Sequence, residues 1–403
     1  MFKIILKLAW NNAFLRASRT FLLIAMIALS MALMIAIEGL YDGMSTSMID
    51  KTLRSDCGEI SIFKKGYRLN RVPANTIKDA DAILKRLSQT PHVKSALKRL
   101  SVDGLSSTAR KSSFANIIGI ELAEEEKFGQ FSHFLKEGKL SFKHYGALFG
   151  SSLAKKLKVH VGSKVIFSTQ NSKGEINSLY LKVAGILQTN NINIDNFSIY
   201  LPLQRVYPFL DVAHNEATQI AIRTDDTQLI HTLKNKYKNL DVKSMRELYP
   251  MLQQMQDLTA VFNSITFVIV MIVVFIGILG VMYVSILDRI REFGIMSAIG
   301  MAYRYIRMQI ILEALLIALV GYVSGALLGY LALEYLHGVG VDLSAYSQGL
   351  EKFGYSPLLY ADIRLDYFIS PLYAVVSASV LSVLLPLRKI KHLNPINVIK
   401  AKT

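Results

Sequence analysis

Apolar residues along this chain gather into long uninterrupted runs, separated by charged or mixed stretches. Residues 21–37, 259–287, 314–333 and 367–387 carry no Asp, Glu, Lys or Arg. A bilayer core about 30 Å thick takes about 20 apolar residues as helix. Lipid offers backbone N–H and C=O groups no partners, so each run is expected to be a helix that satisfies its own backbone. A buried helix of a soluble core is the competing explanation for any single run. Four runs without a charged face make it a poor description of the set. The second run, as helix, would extend about 45 Å, more than the hydrocarbon layer. A long tilt is one explanation. A stalk projecting from the membrane, continued through residues 248–257 (LYPMLQQMQD), is the other, and the pattern leaves both open.

Between the first two runs the periodicity changes. Residues 59–64 alternate like a half-buried strand, and residues 78–88 are spaced as an amphipathic helix that breaks at 91–93. Strands are expected at 113–120, 164–168, 179–187, 199–203 and 218–223, with a helix at 151–158 and an acidic helix start at 124–126. Strands and helices interleave, so this segment reads as mixed α/β, long enough for two subdomains. At the N-terminus, Phe2, Ile5, Leu6, Ala9, Trp10, Ala13 and Phe14 recur at helical spacing, with Lys3, Lys7, Asn11 and Asn12 opposite. That pattern suits a helix lying in the membrane interface, anchored by Trp10, Lys3 and Lys7.

Charge orients the spans. The net charge is +16. Lys3, Lys7, Arg16 and Arg19 precede the first run without an acid. Arg289, Arg291, Arg304 and Arg307 outnumber Asp288 and Glu292 after the second, and Arg388, Lys389, Lys391, Lys400 and Lys402 follow the last. Excess Lys and Arg mark cytoplasmic flanks. The expected organisation is therefore a cytoplasmic interfacial segment (1–20), a span (21–40), an external domain (41–257), a span (258–287), a cytoplasmic segment (288–307), a span (308–335), an external loop (336–366), a span (367–387) and a cytoplasmic tail (388–403). Topology accounts for the basic excess, and no aromatic-interleaved basic stripe points to nucleic acid. Residues 1–37 also have the layout of a signal peptide, but no small-x-small cleavage site follows Ile37, which favours an uncleaved span. The single cysteine, Cys57, falls outside and has no partner for an internal disulfide, so it is read as an apolar filler rather than a reactive thiol.

Catalytic patterns are missing. The sequence holds no Walker A, GxSxG, HExxH or CxxC, and its eight histidines are scattered. Glu38 and Glu313 sit near span ends rather than at mid-span, where a proton relay would need them. What remains is residues 288–307. Arg289, Arg291 and Glu292 cluster on one turn, while Gly294, Ala298 and Gly300 keep part of the surface small. A docking surface for a partner fits this pattern, and so does a solvated loop with snorkelling arginines; spacing alone does not decide.

The run DRIREFGIMSAIGMAYRYIRMQIILEALLIALVGYVSGALLG resembles the cytoplasmic signature and third span of the FtsX-like permeases, the membrane subunits of ABC transporters of the MacB and LolC/LolE kind. Arg291, Glu292, Gly294, Ile295, Met296, Ala298, Ile299 and Gly300 match the pattern R-E-x-G-[IV]-[LM]-x-A-[IVM]-G. Residues 9–49 with GEISIFKKGY resemble the family's first span and following strand, and YGALFGSSLAKKLKVHVGSKVIF and LKVAGILQTNNINIDNFSIYLPLQRV resemble its MacB-type external core in the lipoprotein-releasing variety. The tail LPLRKIKHLNPINVIKA, with Pro395 and Ile399, resembles the last-span exit. The resemblance implies a bacterial inner-membrane protein with a periplasmic core domain and cytoplasmic termini. It implies a non-catalytic subunit, with ATP and Mg held by a separate ATPase chain that meets Arg289, Arg291, Glu292, Gly294, Ala298 and Gly300. It also implies a second permease copy, lipid contacts, and a lipoprotein substrate handed to a periplasmic carrier. A MacB-like exporter and an FtsX-like signalling subunit controlling a cell-wall hydrolase are the alternative readings.

Overall fold

A computed structural model of the protein describes residues 2–14, 17–346, 349 and 358–391. Arg16, Pro395, Ile399, Lys400 and Lys402 lie outside the described residues. The chain forms two compact units: a span unit (Met1–Ser45, Gln256–Leu343 and Leu358–Thr403) and an α/β unit (Thr46–Met255 and Ser344–Pro357).

Among the described residues, four helices are long and apolar enough to cross a membrane: Ala17–Cys57, Pro250–Asp288, Tyr303–Gly338 and Asp366–Leu387. Two of them outrun the apolar runs of the sequence. The first continues past residue 40 to Thr52 and closes with a π turn, Leu53–Cys57. The second starts at Pro250, so residues 250–257 are helical, as a stalk requires. Proline suits that first helical position, since its missing N–H would be unpaired there anyway. Arg304 and Arg307 belong to the third helix, which begins at Tyr303.

Within the span unit, the first and third helices meet along Gly321, Gly325 and Gly329. A Cβ on Gly325 would lie 2.6 Å from the Ala28 carbonyl oxygen, and one on Gly321 would lie 2.9 Å from Ile27 Cβ. Small residues at this spacing let backbones approach where lipid supplies no hydrophobic drive. At one end of the first helix, the Asp42 carboxylate accepts from Tyr367 Oη–H at 2.8 Å, and the Asp362 N–H donates to Gly39 O at 2.8 Å. The second helix is the least enclosed: only 17% of its apolar window is buried, against 39% for the others. Phe262, Ile265, Ile269 and Ile276 stand exposed on it. The N-terminal helix Phe2–Phe14 packs along the third span helix. It buries Ile5, Ala9 and Ala13 and leaves Lys3, Lys7 and Trp10 exposed, with the Trp10 ring 5.1 Å from that of Phe14.

Among the described residues, the α/β unit is built on ten strands: β1 (Ile60–Lys64), β2 (Val93–Ser107), β3 (Ser112–Ile120), β4 (Leu135–Gly138), β5 (Gly146–Gly150), β6 (Lys164–Gln170), β7 (Ile176–Leu187), β8 (Ser198–Pro202), β9 (Gln219–Thr224) and β10 (Leu240–Ser244). They run in the order β10-β1-β9-β2-β3-β8-β5-β7-β4, and β6 pairs with β2 and β7. The long strand β2 joins two cores. Its first half, Val93 to Arg99, pairs with β9; its second half, from Leu100, pairs with β3. One core gathers Ile62, Ile77, Leu87 and Ile220, and the other gathers Leu100, Phe149, Phe167 and Leu201. Where β2 changes partner, Arg99 is fully buried. It donates to Glu125 through two nitrogens, at 2.5 and 2.7 Å, and to the Asp56 carbonyl of the π turn. Burial of a guanidinium is costly, and the bidentate carboxylate offsets that cost, so Arg99 stays protonated with its pKa raised. Cys57 is fully buried, as an apolar filler would be.

Candidate coupling site

The charged insert is a helix. The second span helix stops at Asp288, Arg289 leaves helical geometry, and Ile290–Ala298 forms a separate helix. Gly300 ends it. Its φ of +91° lies in the region that favours glycine. Gly300 N–H donates to Ser297 O at 3.1 Å and Met301 N–H donates to Met296 O at 3.0 Å. Those two bonds make a Schellman ending, which satisfies carbonyls a helix terminus otherwise leaves unpaired. Met296 and Met301 both pack on the span core.

One face of this helix is fixed to the spans. Phe293 and Gly294 are buried in the same core as Ile286, Ile306 and Ile310. Arg289 Nη1 donates to Glu313 Oε2 at 3.0 Å, and Arg289 Nε donates to Glu292 Oε2 at 3.1 Å. The Arg289 guanidinium also lies over the Phe293 ring, 5.2 Å from its centroid. Glu313 is 3% exposed and Arg289 11%, so this pair is nearly desolvated. Asp288 is paired with Arg19 at 3.2 Å, tying the end of the second span helix to the start of the first.

The opposite face is open. Arg291, Glu292, Ile295, Ala298 and Ile299 are exposed, and their spacing puts them on one side. Ile295 is 50% and Ile299 77% exposed. The sequence-derived residues therefore divide. Arg291, Glu292 and Ala298 lie on the free face and Gly300 shapes its end, whereas Arg289 and Gly294 turn inward and position the helix. Ile295 and Ile299 belong to the free face but escape a search for charged and small residues. Their signal was two β-branched apolar residues four apart beside polar neighbours, outside any span-length run. Glu313, read from sequence as interfacial, is the buried partner of Arg289. No cluster of metal-ligating side chains occurs among the described residues.

Among the described residues, four helices able to cross a membrane, an α/β domain between the first and second, and a short helix with a free face after the second have the layout of a membrane permease. The comparisons specify which kind. The MacB-like periplasmic core domain matches residues 20–240, and the FtsX-like permease C-terminal region matches residues 264–395. The chain belongs to this family, the MacB/LolC–LolE type of ABC transporter permease, and its α/β unit is an extracytoplasmic domain. The lipoprotein-releasing system transmembrane protein LolE of Haemophilus influenzae is 24% identical over 347 residues, covering 79% of this chain and 80% of that protein. The macrolide export ATP-binding/permease protein MacB of Pasteurella multocida is 26% identical over 376 residues, covering 88% of this chain and 55% of that protein. The chain thus spans just over half the length of the MacB relative. The crystal structure of the periplasmic region of MacB from Actinobacillus actinomycetemcomitans covers 48% of this chain and 92% of that one, at a TM-score of 0.33 and 18% identity.

Proposed function

We propose that this permease couples ATP hydrolysis on a separate ATPase chain to release of lipoproteins from the outer leaflet of the inner membrane. The observation that carries the coupling half is the helix Ile290–Ala298. It is fixed to the span core by Arg289 and Phe293 and offers Ile295, Ile299, Glu292 and Arg291 to a partner. Exposed apolar residues rimmed by charge are a usual mark of a protein interface. In this reading the termini and residues 288–307 are cytoplasmic, and ATP and Mg are bound by the partner. Two ATPase sites call for two permeases, and the open apolar side of the second span helix suits a second copy or lipid. Motion received by the coupling helix passes into the second span helix, which runs unbroken from Asp288 back to Pro250, at the edge of the external domain.

The substrate half rests on the match to LolE, which extends over four-fifths of that protein. Depletion of the chain, followed by membrane fractionation, tests it. Lipoproteins should accumulate in the inner membrane; normal sorting sinks the release reading. Loss of export of a small periplasmic substrate instead would favour the MacB-like reading. For coupling, Glu292→Lys and Gly300→Val should reduce recovery of the ATPase with the permease, and unchanged co-purification and ATPase activity would count against the docking role.

A further inference from the structure

Within the span unit, a groove of about 320 Å³ opens between the first, second and fourth span helices. The coupling mechanism does not use it. Its lining is graded. Glu38 and Asn263 each stand four residues, about one helical turn, nearer the helix ends that lead into the α/β unit than Met34 and Phe267 on the same two helices. Polar groups therefore line the outer end of the groove and apolar groups the end toward mid-membrane.

The carboxylate at the outer end has no partner. Glu38 makes no hydrogen bond or ion pair among the described residues; Oε2 is sealed off without a donor, and Oε1 is open. No Lys or Arg lines the groove. The charges that act on Glu38 are those of Asp42 and Asp366, both negative. Arg364, beside the fourth helix, is already held by Asp42 at 3.4 Å and Asp362 at 3.3 Å. Negative charge is left uncompensated here, and a partly buried carboxylate without a partner is costly. The groove favours a cation.

The second helix adds acceptors. The Asn263 side chain has no hydrogen-bond partner among the described residues, so its carbonyl oxygen is available. The Ser264 hydroxyl donates to Ala260 O at 2.8 Å, which uses its one proton and leaves it an acceptor toward the groove.

We infer that this groove binds a lipid whose headgroup carries a primary ammonium. Such a group brings one positive charge and three N–H donors with no acceptor of its own. Glu38 Oε1, Asn263 and Ser264 supply the charge and the acceptors it needs, and the acyl chain follows Met34, Phe267 and Val268. A quaternary ammonium carries the same charge without an N–H, and an anionic headgroup is repelled by Glu38. The volume falls within the usual range for small-ligand sites and suits a headgroup with the start of a chain.

The test needs no ATPase and does not depend on the transport reading. Native mass spectrometry follows the delipidated full chain in detergent as dioleoyl-phosphatidylethanolamine or dioleoyl-phosphatidylcholine is added. Both lipids carry the phosphate, so the comparison isolates the N–H donors. The ethanolamine lipid should bind about tenfold or more tightly, the scale of one hydrogen bond to a charged group. Glu38→Gln should bring the ethanolamine lipid down to the level of the choline lipid and leave the choline lipid unchanged, which also shows that the variant is folded. Glu334→Gln removes an exposed carboxylate of the third span helix that does not line the groove, and it should change neither. Equal binding of the two lipids by the unaltered chain overturns the proposal. So does a preference that persists in Glu38→Gln, or a dimer mass free of lipid, which would put a second copy on the groove.

Discussion

Arg289 shows how much can rest on one side chain. It closes the second span helix, pairs with buried Glu313, caps the charge of Glu292 and covers Phe293. Removing one member of a buried ion pair typically costs about 3–5 kcal/mol, because the other charge stays buried and unpaired. Arg289→Ala should therefore lower the thermal midpoint of the detergent-solubilised chain by several degrees, whereas Glu292→Gln, whose side chain is 57% exposed, should shift it little. Equal shifts would refute the inward role given to Arg289. Tyr67 offers a second residue-scale check. Burial raises its pKa to about 12, only partly opposed by hydrogen bonding to Thr218 and Ser101. The neutral phenol is thus favoured by folding. Its contribution is complete below the unfolded value of about 10 and is lost as pH rises through about 12. Alkaline unfolding should accordingly show a fall in stability across that window that Tyr67→Phe diminishes. The motif residues at 289–300 were legible in the sequence as charge and glycine. Their division into an inward and an outward face was not, because Glu313 stands 24 positions away and only packing brings it to Arg289.

At the scale of elements, the span helices were the plainest feature, since runs without charge admit few other structures in or out of lipid. Their ends were harder. The first helix continues through Glu38, Asp42 and Asp50 to Thr52, and the second begins among glutamines, because helical hydrogen bonding does not stop where hydropathy does. In the α/β unit, short apolar runs bounded by turn residues located β1, β3, β6, β7, β8 and β9, although β1, read as half-buried, is almost wholly buried. Strand β2 was hidden: Lys94, Lys98, Arg99 and Asp103 break the apolar pattern, and Arg99 is buried only because Glu125 comes from a later helix to meet it. β5 was missed because it is only five residues long and has a glycine at each end, which reads as a turn rather than a strand. Helix packing gives its own prediction. Gly325→Leu should separate the first and third span helices and lower the thermal midpoint in detergent, as a Cβ there already meets Ala28 and Met31. Gly338→Ala, which meets nothing within 4 Å, should not. A harmless Gly325→Leu would show that the close approach is not needed.

For the whole molecule, the sequence carried the architecture and the family, and it left the external domain's purpose open. The structure supplies what charge and spacing could not: a short helix, Ile290–Ala298, whose one face is committed to the span core and whose other face is free. The account makes Ile290–Ala298 the entry point for energy and the external domain the place where it is spent. A photo-crosslinking amino acid at position 299, in native membranes, tests this most directly. The account predicts an adduct with an ATP-binding protein, weakened by Glu292→Lys. Adducts with lipid alone, or with no ATP-binding protein at all, would contradict it.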